Sequence, residues 1–448
     1  MRARFVATLP CVLGIVVGAG CGDNLLGGAT SGSRLALHAY VYEDGTQQVD
    51  PTVFRDLARG EDCVPARWSD GARYCTPAAG DLVYADPQCL TQVAHVAAGN
   101  DAHYFVKPFF AGHEALISRL VHLGEPFGTA SLTYKLEAGA CIGSFESTPG
   151  TLYTTGGVEE TSDAFVRVRR SGASGDGRFE AERDTSDDGM SVPVGFLDTD
   201  LGIDCVVSGG HDAESATCAP RSRISAQFYT DDTCRVPVAS TESLVTPDAI
   251  EEAFDACPRY FAIGDEVAST DLYDGSPNAC FSALAPAGPR YFAAAAELVV
   301  GSVTRTPVVG SNRLQLIALA DPALKIYDRY VHDTELDIDC APGLLAGALR
   351  CLPVTSPRAN TITKFSDSTC GIPIEVAYVP SSSCDLSPSY AMSGDGAVHH
   401  LGAVHNAVLY ELSTGDICAP APVPAGTTPH VLGNPLPDST FLGVTAVP

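Results

Sequence analysis

The stretch Phe-Leu-Asp-Thr-Asp-Leu-Gly-Ile-Asp-Cys, residues 196–205, decides how the chain is organised because it occurs three times. Residues 54–63 read Phe-Arg-Asp-Leu-Ala-Arg-Gly-Glu-Asp-Cys, and residues 331–340 read Val-His-Asp-Thr-Glu-Leu-Asp-Ile-Asp-Cys. Each copy of this signature stretch has one Asp seven residues before its cysteine and another directly before it. Such repetition indicates that the chain is built from three copies of one unit.

Further landmarks accompany each signature stretch in a constant order. They are an opening Arg (Arg34, Arg178, Arg313), a Cys-x-Pro (Cys75, Cys218, Cys351), an aromatic-x-Asp-x-x-Cys (Cys89, Cys234, Cys370), an apolar-Gly pair (Gly124, Gly264, Gly402) and a Tyr followed by a late cysteine (Cys141, Cys280, Cys418). So many landmarks in one order predict three tandem modules. We place them at residues 34–170, 171–309 and 310–448.

The composition restricts the classes of function. The chain has 448 residues, of which 45% are hydrophobic and 18% charged, so it can bury a large core. Its formal net charge of −27 argues against nucleic acid as a partner, because phosphate contacts need clustered Lys and Arg. The same charge is compatible with divalent cations, with basic partners or with solubility alone.

The N-terminus has the pattern of an export signal. Arg2 and Arg4 precede an apolar run, residues 5–17, which is too short to span a membrane. We therefore interpret residues 1–20 as a signal peptide. No later stretch has 18 consecutive apolar residues, so we expect no other membrane span.

Residues 18–21, Gly-Ala-Gly-Cys, are similar to a bacterial lipobox, although Gly18 stands where a branched apolar residue is typical. This similarity predicts lipidation of Cys21 and a flexible Gly- and Ser-rich tether over residues 21–33. We then expect an exported protein attached to the cell envelope through its lipid, at the outer membrane, the cell surface or the periplasmic face. Ordinary cleavage near Gly20 is the alternative.

Within a module the pattern is mostly that of strands. Apolar side chains recur with period two in residues 35–42 and 132–136. Asp70-Gly71 predicts a hairpin turn, because Gly accepts positive φ at low cost. In the second module, Thr246-Pro247 is typical of a helix start and the apolar residues of 250–254 share one helical face, which predicts a short helical insertion.

We therefore expect an all-β fold of three tandem disulfide-stapled β modules, each with about eight strands. Three separate sandwich-like or barrel-like domains are one possible arrangement. The other, which we favour, has two propeller blades per module and gives a six-bladed β-propeller-like ring.

Sixteen cysteines occur, and an exported chain meets an oxidising compartment, so disulfides are the default expectation. The first two cysteines of each module lie close in sequence and form the most direct pairs: Cys63–Cys75, Cys205–Cys218 and Cys340–Cys351. Each would close a short loop and contribute about 3 kcal/mol by constraining the unfolded chain.

The pairing of the later cysteines stays open. Three further pairs are candidates: Cys234–Cys257, Cys370–Cys384 and Cys89–Cys141. The first module has no equivalent of Cys257, and these pairs leave Cys280 and Cys418 unassigned. Zinc is the competing interpretation, but the sequence contains no Cys-x-x-Cys.

The sequence contains no standard catalytic motif. It lacks Gly-x-Ser-x-Gly and a phosphate loop, and Ile117 stands where a zinc-protease helix beginning at His113-Glu114 needs its second His. Residues 399–405 carry a His trio (His399, His400, His405) that the other modules do not share. Its spacing fits no standard metal motif, so we expect these side chains on the surface or in the core.

The acidic residues of the signature stretch are the one group that could do chemistry. Four of them alternate in the third copy and would line one face of a strand: Asp333, Glu335, Asp337 and Asp339. The second copy keeps three, which are Asp198, Asp200 and Asp204. Hard oxygen ligands clustered in this way predict a calcium site. The alternative is turn chemistry or a solvated face, because Asp commonly bonds its own backbone in turns.

The order of landmarks resembles a group of uncharacterised cysteine-rich repeat lipoproteins of the myxobacterial type. The resemblance covers nearly all of residues 21–448, and the first module departs from it by having four cysteines rather than five. It implies an envelope location and no particular activity.

Our first hypothesis is thus a lipid-anchored envelope protein, not an enzyme, that binds an envelope protein or a glycan or builds surface structure. A calcium-dependent adhesion or glycan-binding module is the second. A hydrolase using paired carboxylates is the third, and recurrence in every module argues against it because an active site is usually single.

Overall fold

The computed structural model describes residues 28–447 except for 99, 112–113, 138–139, 173–176, 209–213, 242–245, 253–257, 277–278, 286–288, 309–311, 321–325, 355–363, 381–387, 394–395, 414–416 and 425. These residues form strands and two short 3-10 helices, Ser162–Ala164 and Asp438–Thr440. The expectation of an all-β fold is confirmed. In the described part of the chain, no helix is long and apolar enough to cross a membrane.

The strands follow one another in three series. The first series is β1 (Leu35–Tyr42), β2 (Gln47–Asp56), β3 (Glu61–Arg67), β4 (Arg73–Pro77), β5 (Ala79–Tyr84), β6 (Gln92–Ala97), β7 (Tyr104–Ala111), β8 (Glu114–His122), β9 (Pro126–Glu137), β10 (Ala140–Thr154) and β11 (Glu159–Glu160). The second is β12 (Arg167–Gly172), β13 (Phe179–Ser186), β14 (Ser191–Asp198), β15 (Ile203–Ser208), β16 (Ser215–Pro220), β17 (Arg223–Tyr229), β18 (Pro237–Thr241), β19 (Ala249–Glu252), β20 (Arg259–Val267), β21 (Tyr273–Ser276), β22 (Ala279–Ser282) and β23 (Arg290–Glu297). The third is β24 (Ser302–Pro307), β25 (Leu314–Leu319), β26 (Tyr327–Asp333), β27 (Ile338–Leu345), β28 (Ala348–Pro353), β29 (Lys364–Phe365), β30 (Pro373–Ile374), β31 (Val376–Pro380), β32 (Tyr390–Met392), β33 (Val398–Val404), β34 (Tyr410–Ser413), β35 (Ile417–Pro420), β36 (Thr427–Pro435) and β37 (Val444–Val447).

Fifteen strands form one continuous sheet, in the order β28-β27-β26-β25-β24-β16-β15-β14-β13-β12-β4-β3-β2-β1-β37. Its two end strands also meet, because the Cys351 N–H donates to the Leu442 carbonyl at 3.0 Å and Arg350 pairs with Gly443. The sheet is therefore closed, and we call these fifteen strands the ring. Each third of the ring is a unit of five strands. The first strand of each unit (β12, β24 or β37) comes from the end of another module: β12 from the first, β24 from the second and β37 from the third, which thereby completes the first unit.

The signature stretch forms the same hairpin in each unit. Its first aromatic or apolar residue pairs with its cysteine in an identical register: Phe54 with Cys63, Phe196 with Cys205 and Val331 with Cys340. The turn between the two strands needs a left-handed residue, which is Gly60 (φ 69°), Gly202 (φ 68°) or Asp337 (φ 53°). The hairpin turn predicted at Asp70-Gly71 is also confirmed, since β3 and β4 flank it and Gly71 has φ 81°.

Equivalent hydrophobic clusters join each unit to the next one around the ring. Each contains a ring disulfide and buried side chains of the following unit: Cys63 and Cys75 with Val168 and Val192, Cys205 and Cys218 with Val303 and Leu319, and Cys340 and Cys351 with Tyr42. The third cluster brings the end of the chain back to its beginning. Burial of these clusters therefore holds the ring closed.

The remaining strands lie outside the ring and form three satellites, one inserted into each unit. The first satellite (β5–β11) and the second (β17–β23) each have seven strands in one sheet, which closes on itself through the pairs β5–β9 and β17–β18. The third (β29–β36) has two four-stranded sheets among its described residues.

The described residues do not show the six-bladed propeller that we favoured. Propeller blades are separate four-stranded sheets. Here the central strands of all three modules are hydrogen-bonded into one closed sheet, and only the satellites are separate.

The predicted helical insertion is wrong for its described residues. Ala249–Glu252 is strand β19, which pairs in parallel with β17 and antiparallel with β20. Ala249 and Ile250 are fully buried in this sheet. Tertiary pairing has overridden the local helix-start signal of Thr246-Pro247.

The three short-range disulfides are confirmed: Cys63–Cys75, Cys205–Cys218 and Cys340–Cys351. The pair Cys89–Cys141 is also formed. The candidates Cys234–Cys257 and Cys370–Cys384 are wrong, because Cys234 is bonded to Cys280 and Cys370 to Cys418. Cys257 and Cys384 lie outside the described residues.

A common geometry explains these later pairs. In each satellite the aromatic of the aromatic-x-Asp-x-x-Cys motif pairs with the late Tyr: Tyr84 with Tyr134, Tyr229 with Tyr273 and Phe365 with Tyr410. This pairing places the following cysteine beside the late cysteine, with Cα atoms 5.7 Å apart in all three copies. Proximity in sequence was therefore a poor guide to proximity in the fold.

Candidate functional site

The first Asp of each signature stretch is bound to the Arg that opens its module. The Nε and Nη2 of the Arg donate to the two carboxylate oxygens at 2.7–2.9 Å in all three pairs: Arg34–Asp56, Arg178–Asp198 and Arg313–Asp333. The side chain of each Asp is only 1% exposed. Hydrogen bonding to this carboxylate raises the pKa of each Arg.

Each of these Arg–Asp pairs has two further partners. Nη2 of the Arg donates to a carbonyl just before the strand that enters the next unit: Ala164, Val299 or Thr440. The carboxylate accepts the backbone N–H two residues ahead, that of Ala58, Asp200 or Glu335, at 3.0–3.2 Å. The repeated Asp is thus a structural residue that fixes its own turn and, through the Arg, the closure of the ring.

The calcium prediction fails on geometry, because the alternating carboxylates do not share a strand face. Residues 334–337 form the turn between β26 and β27. Asp333 is buried against Arg313, whereas the side chains of Glu335 and Asp337 are 68% and 95% exposed. Asp339 is buried against Arg305 and His332.

The second copy behaves in the same way. Asp198 is bound by Arg178, the side chain of Asp200 is 67% exposed, and the side chain of Asp204 is beside Glu182. Among the described residues, no group of three or more His, Cys, Asp or Glu side chains is placed to hold a metal ion. The alternative interpretation, turn chemistry and a solvated face, describes these carboxylates.

A second acidic turn recurs in the satellites, at the Asp of the aromatic-x-Asp-x-x-Cys motif. Its carboxylate accepts backbone N–H groups four or five residues ahead, at 2.6–3.1 Å: Leu90 and Thr91 on Asp86, Arg235 and Val236 on Asp231, and Gly371 and Ile372 on Asp367. The Thr369 hydroxyl and these N–H groups lower the pKa of Asp367 to about 2. These turns hold the satellite cysteines Cys89, Cys234 and Cys370 in the left-handed conformation, with φ of 50–53°.

The His trio does not converge. His399 is buried and its Nδ1 lies 2.9 Å from the Gly433 carbonyl. His400 stacks against Tyr390, with ring centroids 4.9 Å apart. His405 lies on the next loop, where its backbone N–H donates to the Pro429 carbonyl.

The candidate site is a cavity at the centre of the ring, where the three units meet. Strand β2 contacts β14 and β26, which are not its neighbours in the sheet. The axial cavity between these strands has a volume of about 520 Å³ and is lined by all three units, including Gln48, Gly195, Arg221, Asp328 and Tyr330. Its exposed lining residues, such as Thr52 and Arg329, open it to solvent.

A second, smaller cavity of about 270 Å³ adjoins the axial cavity and shares Arg221, Val194 and Thr52 with it. Arg73 and Arg170 line this cavity, and both bind the buried Asp184 carboxylate, with Oδ1 2.9 Å from each Arg. The chain is strongly acidic as a whole, but arginines gather at this place.

Arg221 connects the two cavities. Its Nη2 donates to the Glu182 carboxylate at 3.2 Å and to the Val194 carbonyl at 3.1 Å. Burial and the neighbouring Asp204 raise the pKa of Glu182 to about 7. Burial and the neighbouring Arg170 lower the pKa of Arg221. Both shifts follow from charges held together away from water.

Sequence reasoning missed these residues because the repeat does not mark them. Arg221 follows the Cys-x-Pro of the second module, where the other modules have Ala78 and Val354. The backbone is nevertheless equivalent, since the N–H of Arg221 and that of Val354 donate to the carbonyls of Asp204 and Asp339. The signal in the sequence was that Arg221 departs from the residues at the same position of the other modules, although its backbone position is repeated.

The fold and the site define a disulfide-stapled, three-fold repeated all-β protein with a polar cavity on its axis. The chain belongs to the DUF7481 family of unknown function, whose model matches residues 15–441. A search of the curated proteins found no match, and a search of the solved structures found none. The disulfides indicate an oxidising extracellular environment.

Proposed function

We propose that this protein is an exported, lipid-anchored cell-envelope protein that acts as a binding module, with the axial cavity as its ligand site. The observation that carries the proposal is the cavity itself, because it is lined by all three modules of a closed, disulfide-stapled ring. Its volume of about 520 Å³ lies in the range of small-molecule sites, about 300–1,000 Å³.

The beginning of the described chain supports attachment close to a membrane. Residues 28–33, part of the predicted tether, lie along the ring: the Thr30 N–H donates to the Ser191 carbonyl at 2.7 Å. The N–H groups of Arg34 and Leu35 donate to the Asp188 carboxylate. Residues 21–27 can span at most about 25 Å even when fully extended. A lipid on Cys21 would therefore hold the ring near the bilayer surface.

Lipid attachment is tested in the producing cells by labelling with radioactive palmitate. We expect the wild type and Cys11→Ser to incorporate label and to sediment with the membranes. We expect Cys21→Ser to lose the label and to appear in the soluble exported fraction. Equal labelling of Cys21→Ser and the wild type, or a soluble wild type, would contradict the anchoring.

A further inference from the structure

We propose that the axial cavity binds a small organic anion, and that Arg221 contacts the anionic group of this ligand, a carboxylate or a phosphate. The inference rests on the proposed function and names its ligand class. It follows from the hydrogen bonds of Arg221, from the charges around it and from the size of the cavity.

The hydrogen bonds of Arg221 leave part of its guanidinium available. Nη2 has two acceptors, Glu182 and the Val194 carbonyl. Nε is buried and finds no hydrogen-bond partner in the described part of the chain. The rest of the side chain is accessible, since it remains 27% exposed, so a ligand in the cavity can reach the guanidinium there rather than at Nε.

The arginines around Arg221 share their carboxylate partners. Asp184 is shared between Arg73 and Arg170. Glu182 and Asp204 lie too close together for both to ionise freely, so Glu182 is partly protonated near neutral pH. Arg73, Arg170 and Arg221 are therefore gathered around the adjoining cavity, and an anionic ligand group is favoured beside them in a site partly withdrawn from water.

The rest of the axial cavity is lined by charged groups of both signs. Arg223 and Arg329 line it together with Asp50 and Asp328. The buried Arg305 binds Asp328, and the Nε of Arg305 donates to the Oδ2 of Asp328 at 3.0 Å. The cavity is much larger than a single phosphate or carboxylate, and Tyr40, Tyr327 and Tyr330 add aromatic surface. The geometry thus suits an organic molecule that carries an anionic group rather than a bare ion.

Titration calorimetry on the full-length protein, exported and purified from the envelope in detergent, tests the inference. The probes are inorganic phosphate, citrate and glucose 6-phosphate, with glucose as the uncharged comparison. We expect citrate or glucose 6-phosphate to bind, inorganic phosphate to bind more weakly and glucose not at all. Binding of glucose as tight as that of glucose 6-phosphate, or no binding of any of the three anions, overturns the inference.

Two variants locate the site. Arg221→Gln should weaken anion binding at least tenfold, whereas Arg259→Gln, on the exposed Arg259–Glu297 pair of the second satellite, should leave it unchanged. Ala341→Phe fills the axial cavity from another wall and should also abolish binding, which keeps the test decisive if Arg221→Gln does not fold. Unchanged binding in either cavity variant overturns the inference. Palmitate labelling without anion binding removes this inference alone, and anion binding without labelling removes the anchoring alone.

Discussion

The threefold repeat is kept more strictly in the ring than in the satellites. In the ring the hairpin register, the Arg–Asp pair and the disulfide are the same in all three units. In the satellites the disulfide and the acidic turn before it are repeated in all three, but the sheets differ: two close on themselves, and the third has two four-stranded sheets among its described residues. Buried charge and close packing tolerate little variation, and the repeat is therefore strict where these features hold the units together.

The largest difference between the two regions is expected from their ion pairs. Arg313→Ala would leave the carboxylate of Asp333 unpaired at 1% exposure and should lower the free energy of unfolding by about 3–5 kcal/mol. The matched satellite change, Arg259→Ala, removes a pair whose side chains are about half exposed and should cost less than about 1 kcal/mol. Denaturant unfolding followed by circular dichroism under oxidising conditions measures both. Equal losses would show that the Arg–Asp pair is not what closes the ring.

The same signature stretch supplies an internal control for that result. Asp333→Asn should destabilise the ring, whereas Asp337→Asn, at a 95% exposed side chain, should be nearly neutral. Thermal melting in calcium and then in EDTA should give the same midpoint, because a ligand raises the midpoint only when the folded state binds it. A rise of several degrees with calcium would restore the calcium-dependent adhesion hypothesis.

Removing a disulfide is expected to destabilise the whole ring in one region and to unfold a single satellite in the other. Cys340→Ala with Cys351→Ala removes a bond of sequence separation 11 from the ring and should lower the stability of the whole ring by about 3 kcal/mol. Cys370→Ala with Cys418→Ala removes a satellite bond of sequence separation 48, and we expect local opening of the third satellite instead. Limited proteolysis should then cut within β29–β36 while the ring transition stays unchanged. A common shift of both transitions would mean that ring and satellite unfold as one unit.

The sequence was sufficient for the features that depend on neighbours along the chain. Period-two strands, the Asp-Gly turn and the short-range cysteine pairs such as Cys63–Cys75 depend on neighbours along the chain, and they were predicted correctly. The pairing of Cys234 with Cys280 depends on a strand contact between Tyr229 and Tyr273, which local spacing does not reveal. The closed ring likewise depends on β37 returning to β1 across the whole chain.

The candidate site was beyond sequence reasoning for a physical reason. The acidic residues that the pattern emphasised, such as Asp333, have a structural role because a repeated, partly buried Arg binds them. Arg221, which lines the cavity, stands instead at a position where the modules differ. Its Nε, without a partner among the described residues, and its contact with Glu182, 39 residues away in sequence, appear only when the strands of the second unit pack together.

The last comparison concerns the pH dependence of stability, to which Glu182 of the ring contributes. Burial and Asp204 raise the pKa of Glu182 from an ordinary value of 4.5 to about 7 in the folded state. Between these two values the folded protein binds more protons than the unfolded chain, so stability falls as pH rises through this window, by at most about 1.4 kcal/mol per pH unit. The charged groups facing Glu182 are Asp204, Arg221 and Arg170, and Arg221 and Arg170 reduce the shift without reversing it.

Glu182→Gln should therefore flatten the stability profile between pH 4.5 and 7. Glu297→Gln is the matched satellite control, because its partner Arg259 lowers the pKa of Glu297 and moves its titration below this window. Melting midpoints of the wild type and both variants, taken across the window at constant ionic strength, measure the difference. The same slope in the wild type and in Glu182→Gln would mean that Glu182 is ionised in the folded ring. The positive potential inferred around Arg221 would then be correspondingly smaller.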